Sequence, residues 1–225
     1  FEIFKNLFYI NLSFNKIQII KESYFRNNLN LNYLNLSNNM IYLIETNALR
    51  QYKSLDLSFN QLSQKLRISL NEELLINNNC VSQISKLYKF NQLSSNCFEE
   101  APQVDVFDVP QFIDLKNNRI KILRNNSFKM SGFKSNLYYL NFMNNSIEMI
   151  ESEYFNLLSS LKFLDISLNK LKNFKSGTFN DLNILTYLNL SWNLIEDIDK
   201  NLFDSLFNLI NLDLSHNSIK FIDDY

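Results

Sequence analysis

The chain has 225 residues, 46% of them hydrophobic and 20% charged, with 22 Lys and Arg balanced by 23 Asp and Glu for a formal net charge of −1. This composition excludes a disordered chain and an electrostatic binder of nucleic acid or anionic membrane, which needs clustered cations to pair with phosphates. Two Cys exclude a disulfide-dense scaffold. No apolar run approaches the ~18 residues of a membrane span, and no charged leader with a cleavage site opens the chain at Phe1. The 37 Asn stand beside only two Gly and two Pro. These residue types usually rise together in turn-rich chains, so Asn rising alone points to a positional role.

In chain order, one frame recurs. Leu7, Ile10, Leu12, Asn15, Ile17, Ile20 and Phe25 make a first unit. Leu31, Leu34, Leu36, Asn39, Ile41, Ile44 and Leu49 make the next, and Tyr52, Leu55, Leu57, Asn60 and Leu62 open a third. The frame loosens over 64–111, where Leu74, Ile76, Asn79, Val81 and Ile84 form a short unit. Leu93, Asn96 and Phe98 form a weak one, with polar Asn91 at an apolar position. Glu99, Glu100, Asp105 and Asp108 make an acidic run there, together with Pro102 and Pro110; it reads as a degenerate repeat or a projecting loop. Ile113, Leu115, Asn118, Ile120, Leu123 and Phe128 restore the frame, followed by a longer stretch over 125–136 around Gly132, read as a small loop. From Leu137 onward the template L-x-x-L-x-L-x-x-N-x-I-x-x-I repeats, with Asn145, Asn169, Asn193 and Asn217 spaced 24 apart. About ten turns are counted across 1–225, read as a single array. Both ends fall within a repeat, so the chain is expected to be a piece of a longer array.

Each L-x-L stretch alternates apolar and polar residues, the period of a short half-buried strand. One repeat cannot bury its apolar face alone; stacked neighbours bury it together as a solenoid with a parallel sheet along one face. An inward Asn after each strand can satisfy backbone groups whose burial unpaired costs ~1–3 kcal/mol each. Asn15, Asn39, Asn60, Asn79, Asn118, Asn145, Asn169, Asn193 and Asn217 fit such a ladder. The late Phe (Phe25, Phe128, Phe155, Phe179, Phe203) is expected to stack as a spine on the opposite side.

The repeat resembles the leucine-rich-repeat family, and the resemblance covers nearly the whole chain. It implies an α/β solenoid: a horseshoe with a parallel β-sheet on the concave face and loops or 3₁₀ turns on the convex face. The 24-residue spacing with a late Phe is similar to the typical subtype found in extracellular receptors. The resemblance implies part of the ectodomain of a Toll-like or other innate-immune cell-surface receptor. An adhesion or matrix protein without signalling and an intracellular scaffold are the alternatives. It also implies a protein ligand or partner receptor on the concave or lateral face, dimer formation as an option, and membrane attachment only through segments outside this chain. The compartment implied is extracellular or cell-surface, with the cytoplasm as the lesser alternative.

On the expected concave face, the first outward position of the strands carries Tyr9, Tyr33, Phe112, Tyr139, Phe163 and Tyr187. The next is an amide and carboxylate column, the third is mostly Ser, and an exposed position near the strand end carries Trp192 and His216. Aromatic side chains supply large contact area at low entropic cost, so these are the candidate ligand-binding residues; ordinary repeat consensus is the plainer explanation of the same pattern. Cys80 and Cys97 each follow a candidate ladder Asn, in adjacent turns. Adjacent strands are close enough for a disulfide, and two buried free thiols fit equally. Of the N-x-S/T sequons at Asn11, Asn35, Asn125, Asn144 and Asn189, Asn125 is the preferred glycosylation acceptor because it lies in the expected loop. The single His216 has no nucleophile placed to use it, so no catalytic residue, metal or cofactor is expected and the chain reads as a non-enzyme.

Overall fold

The computed structural model describes residues 3–63, 65–66, 69–84, 88–102, 110–125, 136–156 and 158–220. Asp105, Asp108, Phe128 and the expected loop around Gly132 lie outside the described residues. The chain divides into two compact units, Phe1–Cys97 and Phe98–Tyr225.

In the first unit, β1 (Tyr9–Asn11), β3 (Tyr33–Asn35), β5 (Arg50–Asp56), β6 (Ser69–Leu75) and β7 (Phe90–Gln92) pair in parallel in that order. On the opposite side, β2 (Ile19–Ile20) pairs with β4 (Leu43–Ile44). In the second unit, β8 (Phe112–Asp114), β10 (Tyr139–Asn141), β12 (Phe163–Asp165), β13 (Tyr187–Asn189) and β14 (Asn211–Asp213) pair in the same way. Its opposite side pairs β9 (Ile122–Leu123) with β11 (Met149–Ile150). Every connection returns the chain to start the next strand in the same direction, so each unit is a parallel-strand solenoid. No helix occurs among the described residues; the return is made by separate turns such as Asn28 N–H to the Phe25 carbonyl and Leu31 N–H to the Asn28 carbonyl. The two longest described strands are β5, just before the irregular centre, and β6 within it; their pairing shifts register around Tyr52.

The core is the column of central strand residues. Ile113, Leu140, Leu164 and Leu188 lie in register on adjacent strands and are fully buried. In the first unit the column runs Ile10, Leu34, Leu55, Leu74 and ends on Asn91. Asn91 is also fully buried, and its amide oxygen accepts the N–H of Tyr88 at 2.8 Å. A polar residue is tolerated at this apolar position because its hydrogen bonds are made locally. Behind the strands, Phe155 stacks on Phe179 and Phe179 on Phe203, with ring centroids 5.8 and 6.2 Å apart.

The asparagine after each strand closes the turn. Asn169 Oδ1 accepts the N–H of Ile147 in the preceding turn at 2.9 Å, while its Nδ2 donates to the carbonyls of Phe142, Ile166 and Ser167. Asn39, Asn60, Asn79, Asn96, Asn145, Asn193 and Asn217 make the same set, so Asn96 belongs with the ladder. Asn118 Oδ1 accepts the N–H of Phe98, and its Nδ2 donates to Leu115 and Lys116. Asn15 bonds only to Leu12 and Ser13 of its own turn and is exposed.

The residue before each of these ten asparagines is left-handed, with φ between 53° and 57°. Four of the ten are themselves Asn (Asn38, Asn78, Asn117 and Asn144). Asn tolerates this region better than other non-glycine residues because its short polar side chain bonds locally; a larger side chain costs roughly 1–2 kcal/mol there. The excess of Asn and the scarcity of Gly therefore share a cause.

Cys80 and Cys97 are joined by a disulfide, with Cα atoms 4.8 Å apart and a sequence separation of 17. The bond ties together two turns shorter than the 24-residue repeat. Closing a loop of this size stabilises by about 3 kcal/mol in the chain-entropy picture.

Two outcomes are expected. Asn169→Ala lowers stability by about 2 kcal/mol, because it orphans the buried Ile147 N–H and takes one of two donors from each of the Phe142, Ile166 and Ser167 carbonyls. Exposed Lys172→Ala changes stability by less than ~0.5 kcal/mol; equal urea midpoints for the two variants would refute the ladder's energetic role. Unreduced, unfolded protein titrates no free thiol, and the Cys80→Ser, Cys97→Ser double variant loses about 3 kcal/mol. Two titratable thiols would contradict the bond.

Candidate functional site

The strands fix which side chains face out. In the second unit the first outward residue of four successive strands is aromatic, and parallel in-register pairing places Phe112, Tyr139, Phe163 and Tyr187 side by side. Strand spacing is about 4.8 Å, so the rings meet face to face. Centroids lie 4.2, 4.5 and 4.5 Å apart along the series, with interplanar angles of 8°, 8° and 4°. Each ring is half-buried, since the faces cover one another. Tyr139 and Tyr187 also accept hydrogen bonds on their hydroxyl oxygens from Asn141 Nδ2 and Asn189 Nδ2, at 3.1 and 3.5 Å. Burial pushes the Tyr139 phenol up from its ordinary range. The series ends at Asn211, which pairs with Tyr187.

The neighbouring amide and carboxylate column is largely engaged within the fold. Asp114, Asn141, Asp165, Asn189 and Asp213 each accept, on Oδ1, the backbone N–H two residues onward. The hydroxyls of Ser167 and Ser191 donate to the same oxygens, at 2.6 and 2.7 Å. This is an Asx turn, and it steers the chain off the strand into the left-handed residue. Sequence reasoning placed these residues, and the Ser column after them, on the surface. The recurring [N/D]-x-S spacing was the signal for the turn. Ser167 and Ser191 are buried.

Burial pushes the Asp114 carboxyl up from its ordinary range. The Lys116 N–H and ammonium oppose the shift, with Nζ 3.5 Å from Oδ2, and the Asp165 carboxylate adds to it.

The remaining candidates do not join this series. In the first unit Tyr33 packs against Phe8 at 5.4 Å with tilted rings, and Tyr9 is exposed. The column there is interrupted by Ser54, whose hydroxyl donates to Glu73 Oε2 at 2.6 Å. Trp192 lies at the left-handed turn residue and stacks on His216, with centroids 3.9 Å apart. Asn125 is exposed, and its N–H donates to Glu151 Oε2 at 3.1 Å. Among the described residues no group of three or more His, Cys, Asp or Glu could hold a metal ion, and no helix is long and apolar enough to cross a membrane.

Comparison with known proteins follows the same frame. A family model described as leucine rich repeat matches residues 5–62 and 135–195. No curated protein matches the chain in sequence. Among solved structures, the leucine-rich repeat domain of APL1B aligns with a TM-score of 0.73 at 18% identity, covering 93% of this chain and 61% of that one. The LRIM1 leucine-rich repeat domain aligns with a TM-score of 0.70 at 25% identity, covering 94% and 67%. The octameric complex of Latrophilin 3 (Lec, Olf), Unc5D (Ig, Ig2, TSP1) and FLRT2 (LRR) aligns with a TM-score of 0.66 at 22% identity, covering 88% and 64%. The chain thus spans 61–67% of the length of these structures.

A raised carboxyl binds its proton more readily in the folded chain than in the unfolded one. Ionised Asp114 therefore lowers stability as pH climbs above its ordinary value of 3.8, and the loss disappears below that value. Asp114→Asn keeps the Asx turn, as Asn141 and Asn189 do. It is expected to raise the urea midpoint at pH 7 and to leave it unchanged at pH 3. A lower midpoint at pH 7 would show that the Lys116 ion pair outweighs burial.

Proposed function

We propose, from the premise that the chain belongs to the leucine-rich-repeat family, that it is a non-catalytic protein-recognition module whose partner docks on the strand face of the second unit. The observation that carries this reading is the stack of Phe112, Tyr139, Phe163 and Tyr187. Four rings are held by four different strands and by one another. Their rims form a contiguous surface that is already ordered, so a partner gains aromatic contact area with little further loss of side-chain freedom. Ring edges are electropositive, and the two tyrosine hydroxyls add polar points, which suits peptide carbonyls and carboxylates of a protein partner.

We place this module in the extracellular part of a cell-surface or secreted protein, with a Toll-like or other innate-immune receptor as the reading that the family resemblance supports best. The Cys80–Cys97 disulfide supports an oxidising compartment. The FLRT2 leucine-rich repeat occurs in a complex with Latrophilin 3 and Unc5D, which supports recognition of proteins.

The test compares the wild-type chain with the Tyr139→Ser, Phe163→Ser, Tyr187→Ser triple variant and a Tyr9→Ser, Tyr33→Ser control. A protein partner captured from a secretome and then purified should bind wild type and control alike and bind the triple variant at least 100-fold more weakly. Circular dichroism checks that all three remain folded. Binding of a folded triple variant within twofold of wild type would remove the stack from the interface.

A further inference from the structure

The ring column and the column beside it are matched strand by strand. Asn141 and Asn189 follow Tyr139 and Tyr187 by two residues, and their Nδ2 atoms donate to the tyrosine hydroxyls. Phe112 and Phe163 carry no hydroxyl, and the residues two onward are Asp114 and Asp165. Parallel pairing therefore sets two Phe–Asp pairs alternately with two Tyr–Asn pairs. Each Asp is only 7% exposed. β12 has a paired strand on both sides, so the surroundings of Asp165 are set by its neighbours.

The Asx turn uses one oxygen of each carboxylate. Asp114 Oδ1 accepts the Lys116 N–H, and Asp165 Oδ1 accepts both the N–H and the hydroxyl of Ser167. The second oxygens differ. Lys116 Nζ lies 3.5 Å from Asp114 Oδ2, whereas the residue in the place of Lys116 on β12 is uncharged Ser167. Among the described residues Asp165 Oδ2 has no hydrogen-bond or ion-pair partner. Lys170 lies 3.9 Å from Glu148 instead, and Lys162 forms no ion pair among the described residues. In the flanking strands the equivalent atoms, Asn141 Nδ2 and Asn189 Nδ2, reach the ring column, so Asp165 Oδ2 opens on it where Phe163 has no hydroxyl. The charge of Asp165 is felt there, since it helps to hold the proton on the Tyr139 phenol. A partner seated on the ring rims covers this carboxylate. Stripping water from an unpaired charge is costly unless an opposite charge takes its place.

We propose that the partner segment docking on this face carries a basic side chain, Lys or Arg, whose cation pairs with Asp165 Oδ2 beside Phe163, as Lys116 pairs with Asp114 within the fold. Apolar atoms of the same segment lie along the rims of Tyr139, Phe163 and Tyr187. Asp165 is thereby the residue that selects a basic partner over a neutral or acidic one. The proposal rests on reading the strand face of the second unit as the recognition surface and names what that surface selects.

The probe is the peptide Leu-Arg-Leu, capped at both ends. It is compared with Leu-citrulline-Leu, in which a neutral urea group replaces the guanidinium, and with Leu-Glu-Leu. Binding is followed through the ring proton and carbon NMR signals of Phe163 and Tyr187. The Arg peptide should shift them saturably, with the citrulline peptide about tenfold weaker and the Glu peptide weaker still. Asp165→Asn keeps the Asx turn, as Asn141 and Asn189 do, and should bind the Arg and citrulline peptides equally. Ser167→Lys places a cation where Lys116 stands in the other pair and should weaken the Arg peptide about tenfold. Asp114→Asn removes a carboxylate already paired with Lys116 and should leave the Arg peptide within about twofold of wild type. Circular dichroism checks the fold of each variant. No saturable shift with the Arg peptide, equal affinity of wild type for the Arg and citrulline peptides, or an Arg preference that survives Asp165→Asn would overturn the proposal. The purified protein partner separates this proposal from the wider reading. If the partner is lost from the Tyr139→Ser, Phe163→Ser, Tyr187→Ser variant yet binds Asp165→Asn as it binds wild type, the cation site is overturned and the stack remains the docking surface.

Discussion

Everything in this molecule depends on satisfying the backbone where the chain leaves a strand. A solenoid turns inward at that point in every repeat, which buries N–H and C=O groups that no strand pairing can reach. Three devices act within five residues of one another. An Asx turn bends the chain, as at Asp165; a left-handed residue follows it, as at Leu168; and the next side chain, Asn169, joins two turns through four hydrogen bonds. A buried amide left unpaired costs more than a typical bond contributes, so the arrangement tolerates little change. Leucine packing fills the interior, but the turn geometry sets how closely one repeat can stack on the next.

That stacking distance has a consequence on the outer face. Once successive strands are parallel and in register, any residue type repeated at the first outward position must meet its own kind at the strand spacing. Phe112, Tyr139, Phe163 and Tyr187 thereby become one stacked object. Phe155, Phe179 and Phe203 do the same on the back, at wider spacing. The stack is thus a product of the ladder, and its rigidity is inherited from buried asparagines that never touch a partner.

Most of the fold was legible in the sequence because the apolar period and the recurring Asn are both strict. Leu34, Leu140 and Leu164 could be assigned inward from spacing alone, and they are buried. Asn96 was harder: its unit was weakened by Asn91, and nothing in a pattern of residue types says that a polar side chain can be satisfied by the peptide of Tyr88 three residues earlier. The outer face was read less well. Asp165 and Asn189 alternate with inward leucines and so look like surface residues, yet they act as acceptors for the turn. Trp192 looked like part of the strand face, because hydropathy periods carry no information on a single left-handed φ. The length of the central strands was also hidden, since β5 and β6 extend where the repeat spacing shrinks.

The remaining freedom in such a chain is confined to positions that the turn does not determine, and this is where function can be sought. Inward leucines and ladder asparagines are fixed by burial. Asx residues are fixed by the turn, though they accept Asp and Asn alike because only one side-chain oxygen is required. The first outward residue and the left-handed residue answer to weaker constraints. At the left-handed residue the constraint even has a direction, toward Asn and against bulk. Asn38, Asn78, Asn117 and Asn144 follow it, whereas Phe14, Phe59, Leu168, Trp192 and His216 do not.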